Sequence, residues 1–234
     1  MSEPIRIVFP IYPGITHLDF TGPHQVFSRL PGAVVSVASI GSRPIEADGL
    51  TFAGLAVLEE IERCDVLCVP GGFGCTDAMH DEAFMASIRR LAASARYVTS
   101  VCTGSLILAA AGLLAGKRAA CHWAWRDMLA QFGAIPDPGR VVRDGNVISG
   151  GGVTAGIDFA LTLAAEIAGP DVAQSIQLVL EYAPAPPFDA GTPETAPAEL
   201  LERVVASRAA VMAKGHAVVA RAAARLRGDA VDAA

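Results

Sequence analysis

The chain has 234 residues, 52% of them hydrophobic and 18% charged, with a formal net charge of −6. That length suits one large domain that buries a core without staples, and the acidic balance argues against general binding to nucleic acid. No apolar run reaches the roughly 18 residues that a membrane helix needs, and five cysteines at 64, 68, 75, 102 and 121 form no CxxC pair and have no histidine at ligand spacing. A disulfide framework and a zinc site are therefore not expected; reduced thiols are. The start, Met1-Ser2-Glu3-Pro4, lacks the basic and apolar regions of a signal peptide, so the expected location is the cytoplasm.

Ile5 to Phe9 is an apolar run between two prolines and reads as a central first strand. Thr16 to His24 follows, where Pro23 suits the first turn of a helix with Thr21 or Gly22 near its cap. Asp19 then falls just before that helix, at the carboxyl side of the strand, which is the edge where open parallel sheets bind ligands. A carboxylate in this place can equally accept backbone amides at the start of the helix. Val34 to Ile40 is a second strand, and Ile45 to Leu58 reads as an antiparallel excursion turning at Asp48-Gly49. Cys64 to Pro70 is a buried strand that ends in Gly71-Gly72-Phe73-Gly74, where glycines admit a close backbone approach. No phosphate-loop or dinucleotide fingerprint accompanies them. Cys64 and Cys68 read as core, whereas Cys75 lies in the glycine-rich loop.

Glu82 to Ala95 has helical spacing and leads into Tyr97–Leu108, a β-rich run that becomes a segment of helix formers after Cys102. A strand feeding a helix through a tight turn is where α/β hydrolases hold their nucleophile. The amides of Thr103 and Gly104 at the helix start would favour a thiolate there. The competing reading is a small apolar cysteine at a buried strand end. Lys117 to Cys121 reads as another strand, and His122-Trp123-Ala124-Trp125 as the opening of a helix to Phe132. His122 at that strand end either faces the same edge as Cys102 or packs beside the tryptophans. Arg140 to Ser149 is a hairpin turning at Asp144-Gly145-Asn146, and Gly150 to Gly156, which includes Val153, joins it to an apolar helix from Ile157 to Ala168. Gly169-Pro170 restarts a helix to about Tyr182, and a proline-rich stretch leads to one long helix at about 199–227. Val205, Met212, Val219 and Leu226 recur there every seven residues and ask for a partner surface, in this domain or in a second subunit. Its basic residues read as a solvated face. The alternation of strands and helices gives a three-layer α/β fold with a mostly parallel sheet, expected as one domain over 1–234.

With these stretches in view, the sequence resembles the DJ-1/PfpI superfamily and, within it, the isonitrile (isocyanide) hydratases. The resemblance is carried by Leu18-Asp19-Phe20-Thr21-Gly22-Pro23-His24, Val69-Pro70-Gly71-Gly72, Tyr97 to Ser105, His122-Trp123-Ala124, Gly151 to Leu161, and Leu180 to Phe188. It implies a flavodoxin-like homodimer with Cys102 as nucleophile and Asp19 beside its sulfur. It implies hydration of a small-molecule isocyanide to an N-substituted formamide through a Cys102 thioimidate, with no metal or organic cofactor. Gly72, Thr103, His122 and Val153 are the candidates for holding substrate or intermediate, with the amides of Gly72 and Thr103 candidates to polarise the water or the intermediate. Thr103 stands where PfpI-type proteases carry a histidine, and Asp19 where DJ-1-type proteins carry a glutamate. Two other readings stay open: a cysteine enzyme acting on α-oxoaldehydes, and a non-enzymatic redox or ligand sensor, for which the chain offers no room for a helix-turn-helix pair.

Overall fold

A computed structural model describes residues 3–228. In chain order the strands are β1 (Ile5–Pro10), β2 (Ala33–Ser39), β3 (Ile45–Ala47), β4 (Leu50–Phe52), β5 (Ala56–Val57), β6 (Val66–Val69), β7 (Tyr97–Val101), β8 (Arg118–Ala119), β9 (Ile135–Pro136), β10 (Val141–Asp144) and β11 (Val147–Gly150). The helices are α1 (Leu18–Phe27), α2 (Cys75–Ala78), α3 (Glu82–Ser94), α4 (Gly104–Ala110), α5 (Ala155–Ala168), α6 (Pro170–Val179) and α7 (Ala198–Arg227). Seven strands form the main sheet in the order β10-β11-β7-β6-β1-β2-β5. Every pairing in it is parallel except the β10–β11 hairpin at one edge. Among the described residues no helix is long and apolar enough to cross a membrane.

Strands β6, β7 and β11 are buried along their whole length, which is why β6 reads Val-Leu-Cys-Val with no alternation. Where polar residues enter these strands they are paired: the Thr99 hydroxyl donates to the Leu67 carbonyl at 2.8 Å, and Ser100 Oγ meets Ser105 Oγ at 2.8 Å. On one side α1 packs on α5 and α5 on α6, with Phe27 edge-on to Phe159. A second group joins α4 to α2, to α7 and to a 3₁₀ helix over Arg126–Phe132. α3 is capped by Asp81, whose carboxylate accepts from the Phe84 amide at 3.0 Å.

Several boundaries differ from those read in the sequence. α1 begins at Leu18, so Asp19 lies inside its first turn and Pro23 inside the helix rather than at its start. Only β3 and β4 pair antiparallel around Asp48-Gly49, both at positive φ; β5 rejoins the main sheet parallel to β2. The strand expected at 117–121 is two residues long and pairs with β9 in a separate ribbon, and the helix expected from His122 starts as turns and becomes 3₁₀ only at Arg126. The seven-residue stripe of α7 does not share one face: Val219 is buried and Met212 partly so, while Val205 and Leu226 are exposed. A straight α-helix drifts about 20° per heptad, so a strict seven-residue row walks off the contact. The inward face instead follows Met212, Gly215, Val219 and Ala222.

Candidate active site

β7 ends at Val101 and α4 starts at Gly104, which leaves Cys102 and Thr103 to make the turn. Cys102 has φ of +58°, a left-handed conformation that costs a non-glycine residue roughly 1–2 kcal/mol. Its surroundings hold it there. The Cys102 amide donates to the Gly150 carbonyl at 3.0 Å, and Gly104 packs so closely on the Val69 carbonyl that a methyl group would overlap it. The cysteine is thus pinned between β11 and the end of β6.

Burial pushes the Cys102 thiol well above its ordinary range, the charges of Asp19 and Cys121 push the same way, and the Thr103 amide pulls it down. The expected thiolate-favouring pull of the helix start is present in the Thr103 amide, but burial is the larger effect on the sulfur.

Asp19 is fully buried behind Cys102. Its Oδ2 accepts from the Gly71 amide at 2.9 Å, while Oδ1 has no hydrogen-bond partner among the described residues. Burial raises its pKa to about 7, against the opposing pull of the Gly71 amide and the Cys102 side chain. Asp19 does not cap α1, since its Oδ2 is bonded to the Gly71 amide and its Oδ1 to nothing among the described residues. A carboxyl that changes charge near neutrality therefore lies beside the thiol.

In front of the sulfur opens a cleft of about 400 Å³. Gly72, Thr103, His122 and Val153 line it together with Cys102, so the residues expected at the site meet at one place, with Asp19 beneath them. Gly72 has φ of +136° and donates its amide to Thr103 Oγ1 at 2.8 Å; that hydroxyl returns a bond to the Gly72 carbonyl at 3.0 Å. The Gly72 amide is thus bonded to Thr103, and the neighbouring Gly71 amide bonds Asp19. A Cβ at Gly71 would come within 2.5 Å of the Thr103 amide nitrogen and 2.8 Å of Asp19 Oδ2. His122 is partly buried, accepts from the Ala124 amide through Nδ1 at 3.3 Å, and has its pKa lowered by burial and by the nearby charge of Arg208.

The segment carrying His122 lies outside the main sheet, and two buried serines attach it. Ser149 Oγ of β11 accepts from the Ala120 amide at 2.8 Å, and Ser105 Oγ of α4 donates to the Ala120 carbonyl at 2.6 Å. Both backbone groups of Ala120 are satisfied by side chains instead of a strand partner. Beyond it, Phe73, Trp123 and Trp125 make the cleft aromatic, and α7 closes the outer wall with Val204, Arg208 and Met212. α7 is seated by Trp125, whose ring lies edge-on to His216 at 5.4 Å and against Gly215, where a methyl group would overlap it. Gly71, Phe73, Trp125, Arg208 and Met212 were not among the expected site residues. Trp125 gave only a packing signal and Arg208 only a surface one.

A family model described as the DJ-1/PfpI family matches residues 5–166. The chain belongs to the DJ-1/PfpI family. It is 50% identical over 223 residues to an isonitrile hydratase from Pseudomonas putida, covering 95% of this chain and 98% of that protein. A crystal structure of a ThiJ/PfpI family protein from Pseudomonas syringae superposes with a TM-score of 0.89 at 42% identity, covering 94% of this chain and 91% of that one. More distantly, a glutathione-independent glyoxalase from Caenorhabditis elegans is 24% identical over 62% of this chain and 79% of its own length. Among the described residues no group of three or more His, Cys, Asp or Glu side chains is placed to hold a metal ion. All five cysteines are free and buried. Cys75 lies under the glycine-rich loop rather than in the cleft lining, with its pKa pushed up to about 11 by burial.

Proposed function

We propose that the protein hydrates isocyanides to N-substituted formamides, with Cys102 as nucleophile and Asp19 as the group that moves the proton. The observation that carries this reading is the buried Asp19–Cys102 pair beneath an aromatic cleft, in a chain similar over nearly its whole length to an isonitrile hydratase. The terminal carbon of an isocyanide accepts a soft nucleophile and needs a proton as it does so. The thiol is held well above its ordinary range, and the carboxyl, with a pKa of about 7, is part ionised at neutral pH, which lets its ionised form act as the base. Asp19 takes the thiol proton as Sγ bonds to the carbon, then gives it to that carbon, which leaves an S-linked thioimidate. Water then adds its oxygen to the carbon, and the imine nitrogen gains a proton. The C–S bond breaks as the new hydroxyl becomes a carbonyl, its proton returns to sulfur, and the formamide leaves. The Thr103 amide, aimed at Sγ, steadies the sulfur in the steps where it carries charge. Asp19 Oδ1, unbonded, is the oxygen free to carry the proton.

Gly72, His122 and Val153 are proposed to shape the substrate end of the cleft. Because His122 Nδ1 accepts from the Ala124 amide, Nε2–H is left as its donor in that tautomer. The enzyme is proposed to work as a homodimer in the reducing cytoplasm. Five free thiols support the location, and strongly exposed Leu178, Val179 and Phe188 offer apolar surface for a second copy. The test of the reaction is incubation with an aryl isocyanide and, separately, with methylglyoxal. Formamide should form in the first and lactate should be absent from the second; lactate without formamide would overturn the reading in favour of carbonyl chemistry.

A further inference from the structure

The reaction needs no cation at the cleft mouth, yet α7 places one there. Arg208 lines the cleft between Val204 and Met212 of the same helix. Its guanidinium carbon stands 5.8 Å from the centre of the Phe73 ring, a cation–π contact that holds the group over the aromatic wall. Its charge reaches inward far enough to lower the pKa of His122. No carboxylate among the described residues pairs with it, whereas the ion pairs of Arg63, Arg118, Arg140 and Arg143 all lie elsewhere. Asp48 is the other charged group on the cleft wall; it lies on the exposed β3–β4 turn and makes no ion pair with Arg208.

Resting on the hydratase reading, we propose that Arg208 is an anion-binding subsite, and that the preferred isocyanides carry a carboxylate on the group that fills the aromatic part of the cleft. A planar guanidinium presents several donors to a carboxylate and keeps its charge at any working pH. Phe73, Trp123 and Trp125 suit an aromatic body between the two polar ends. One end is the isocyano carbon at Cys102; the other is the anion at Arg208. A neutral substrate would leave the guanidinium in solvent and gain nothing from it.

The experiment compares kcat/KM for 3- and 4-carboxyphenyl isocyanide with their uncharged carboxamide counterparts, in wild type, Arg208→Gln and Arg208→Glu. Arg208 is exposed, so both variants are expected to fold. Wild type should favour the better carboxylate over its carboxamide by about tenfold, as a charge-assisted contact at a part-exposed site allows. The ratio should fall to about one in the Gln variant, and the Glu variant should prefer a trimethylammonium-bearing phenyl isocyanide. A wild-type ratio near one, or a ratio unchanged by either substitution, would overturn the subsite. A binding arm separates this from failure of the hydratase reading. The dissociation constants of 4-formamidobenzoate and 4-formamidobenzamide are followed by the fluorescence of Trp123 and Trp125. If no isocyanide is hydrated, the reaction reading falls. Tighter benzoate binding that is lost in Arg208→Gln would still support an anion site at Arg208, and equal binding of the two would overturn it.

Discussion

Cys102 and Asp19 rest on elements that the seven-stranded sheet holds from below, whereas His122, Trp125, Arg208 and Met212 reach the same cleft from segments outside its ladder. The floor is fixed by backbone: the β7–α4 turn is tied to Gly150, and the carboxyl of Asp19 to Gly71. The wall is fixed by side chains: two serine hydroxyls on Ala120, and a tryptophan seated on Gly215. A backbone-built floor keeps reacting atoms in register and tolerates almost no change of residue. A side-chain-built wall can be re-cut to admit other substrates while the chemistry beneath stays the same. Changes to the floor should therefore appear in kcat, and changes to the wall in KM and stability.

The largest effect is expected at the sulfur. Cys102→Ser should abolish measurable isocyanide turnover, while Cys64, Cys68, Cys75 and Cys121 changed singly to Ser should keep kcat within a few-fold and lose stability instead. Steady-state rates beside thermal midpoints separate the two classes. A Cys102→Ser enzyme with most of its rate would erase the distinction between floor and wall.

Next comes Asp19→Asn, expected to lower kcat/KM by roughly a hundredfold or more because the shape survives and the transferable proton does not. Its stability should move the other way. The carboxyl has an ordinary pKa of 3.8 and one of about 7 in the fold. Between those values the unfolded chain ionises while the folded one holds its proton, so wild type loses stability as pH rises through that window. The Asn variant escapes this loss, and its advantage in thermal midpoint should grow from pH 4 to pH 7 and level off above. A midpoint difference that is flat with pH would show that Asp19 does not hold a raised pKa.

Gly215→Ala probes the wall. The added methyl overlaps the Trp125 ring, so the helix or the tryptophan must shift, at about 1–3 kcal/mol for an overpacked contact. KM should rise several-fold with kcat little changed, as steady-state kinetics and chemical denaturation would reveal. The smallest effect is expected for Ser149→Ala, which leaves the buried Ala120 amide without its acceptor and costs about 1–3 kcal/mol. Loss of kcat larger than any rise in KM in either wall variant would contradict the division.

The floor was more legible than the wall because its signals are local. A β-rich run meeting helix formers at Cys102, and a strand ending in Gly71-Gly72, mark sheet edges within a few residues of sequence. The parallel sheet follows from buried strands alternating with helices in the same way. The pKa of the Cys102 thiol was not legible, because sequence places an amide near the sulfur but carries no measure of the burial that pushes the thiol up. Arg208 lies more than a hundred positions from Cys102, on a helix whose basic residues look solvated one by one. Only the docking of α7 through Trp125 and Gly215 brings that residue to the cleft. The seven-residue row of α7 meets its own domain only in part, at Val219 and Met212, because the contact within the chain follows 3.6 residues per turn and not 3.5.

The central claim is a covalent bond between Cys102 and the isocyanide carbon, and mass spectrometry of acid-quenched protein tests it most directly. Enzyme mixed with excess aryl isocyanide and stopped within one turnover should gain the mass of one isocyanide molecule. After digestion that mass should map to the peptide carrying Cys102 and be absent from Cys102→Ser. Full turnover with no adduct at any quench time, or an adduct on another residue that forms and decays at the catalytic rate, would contradict the account.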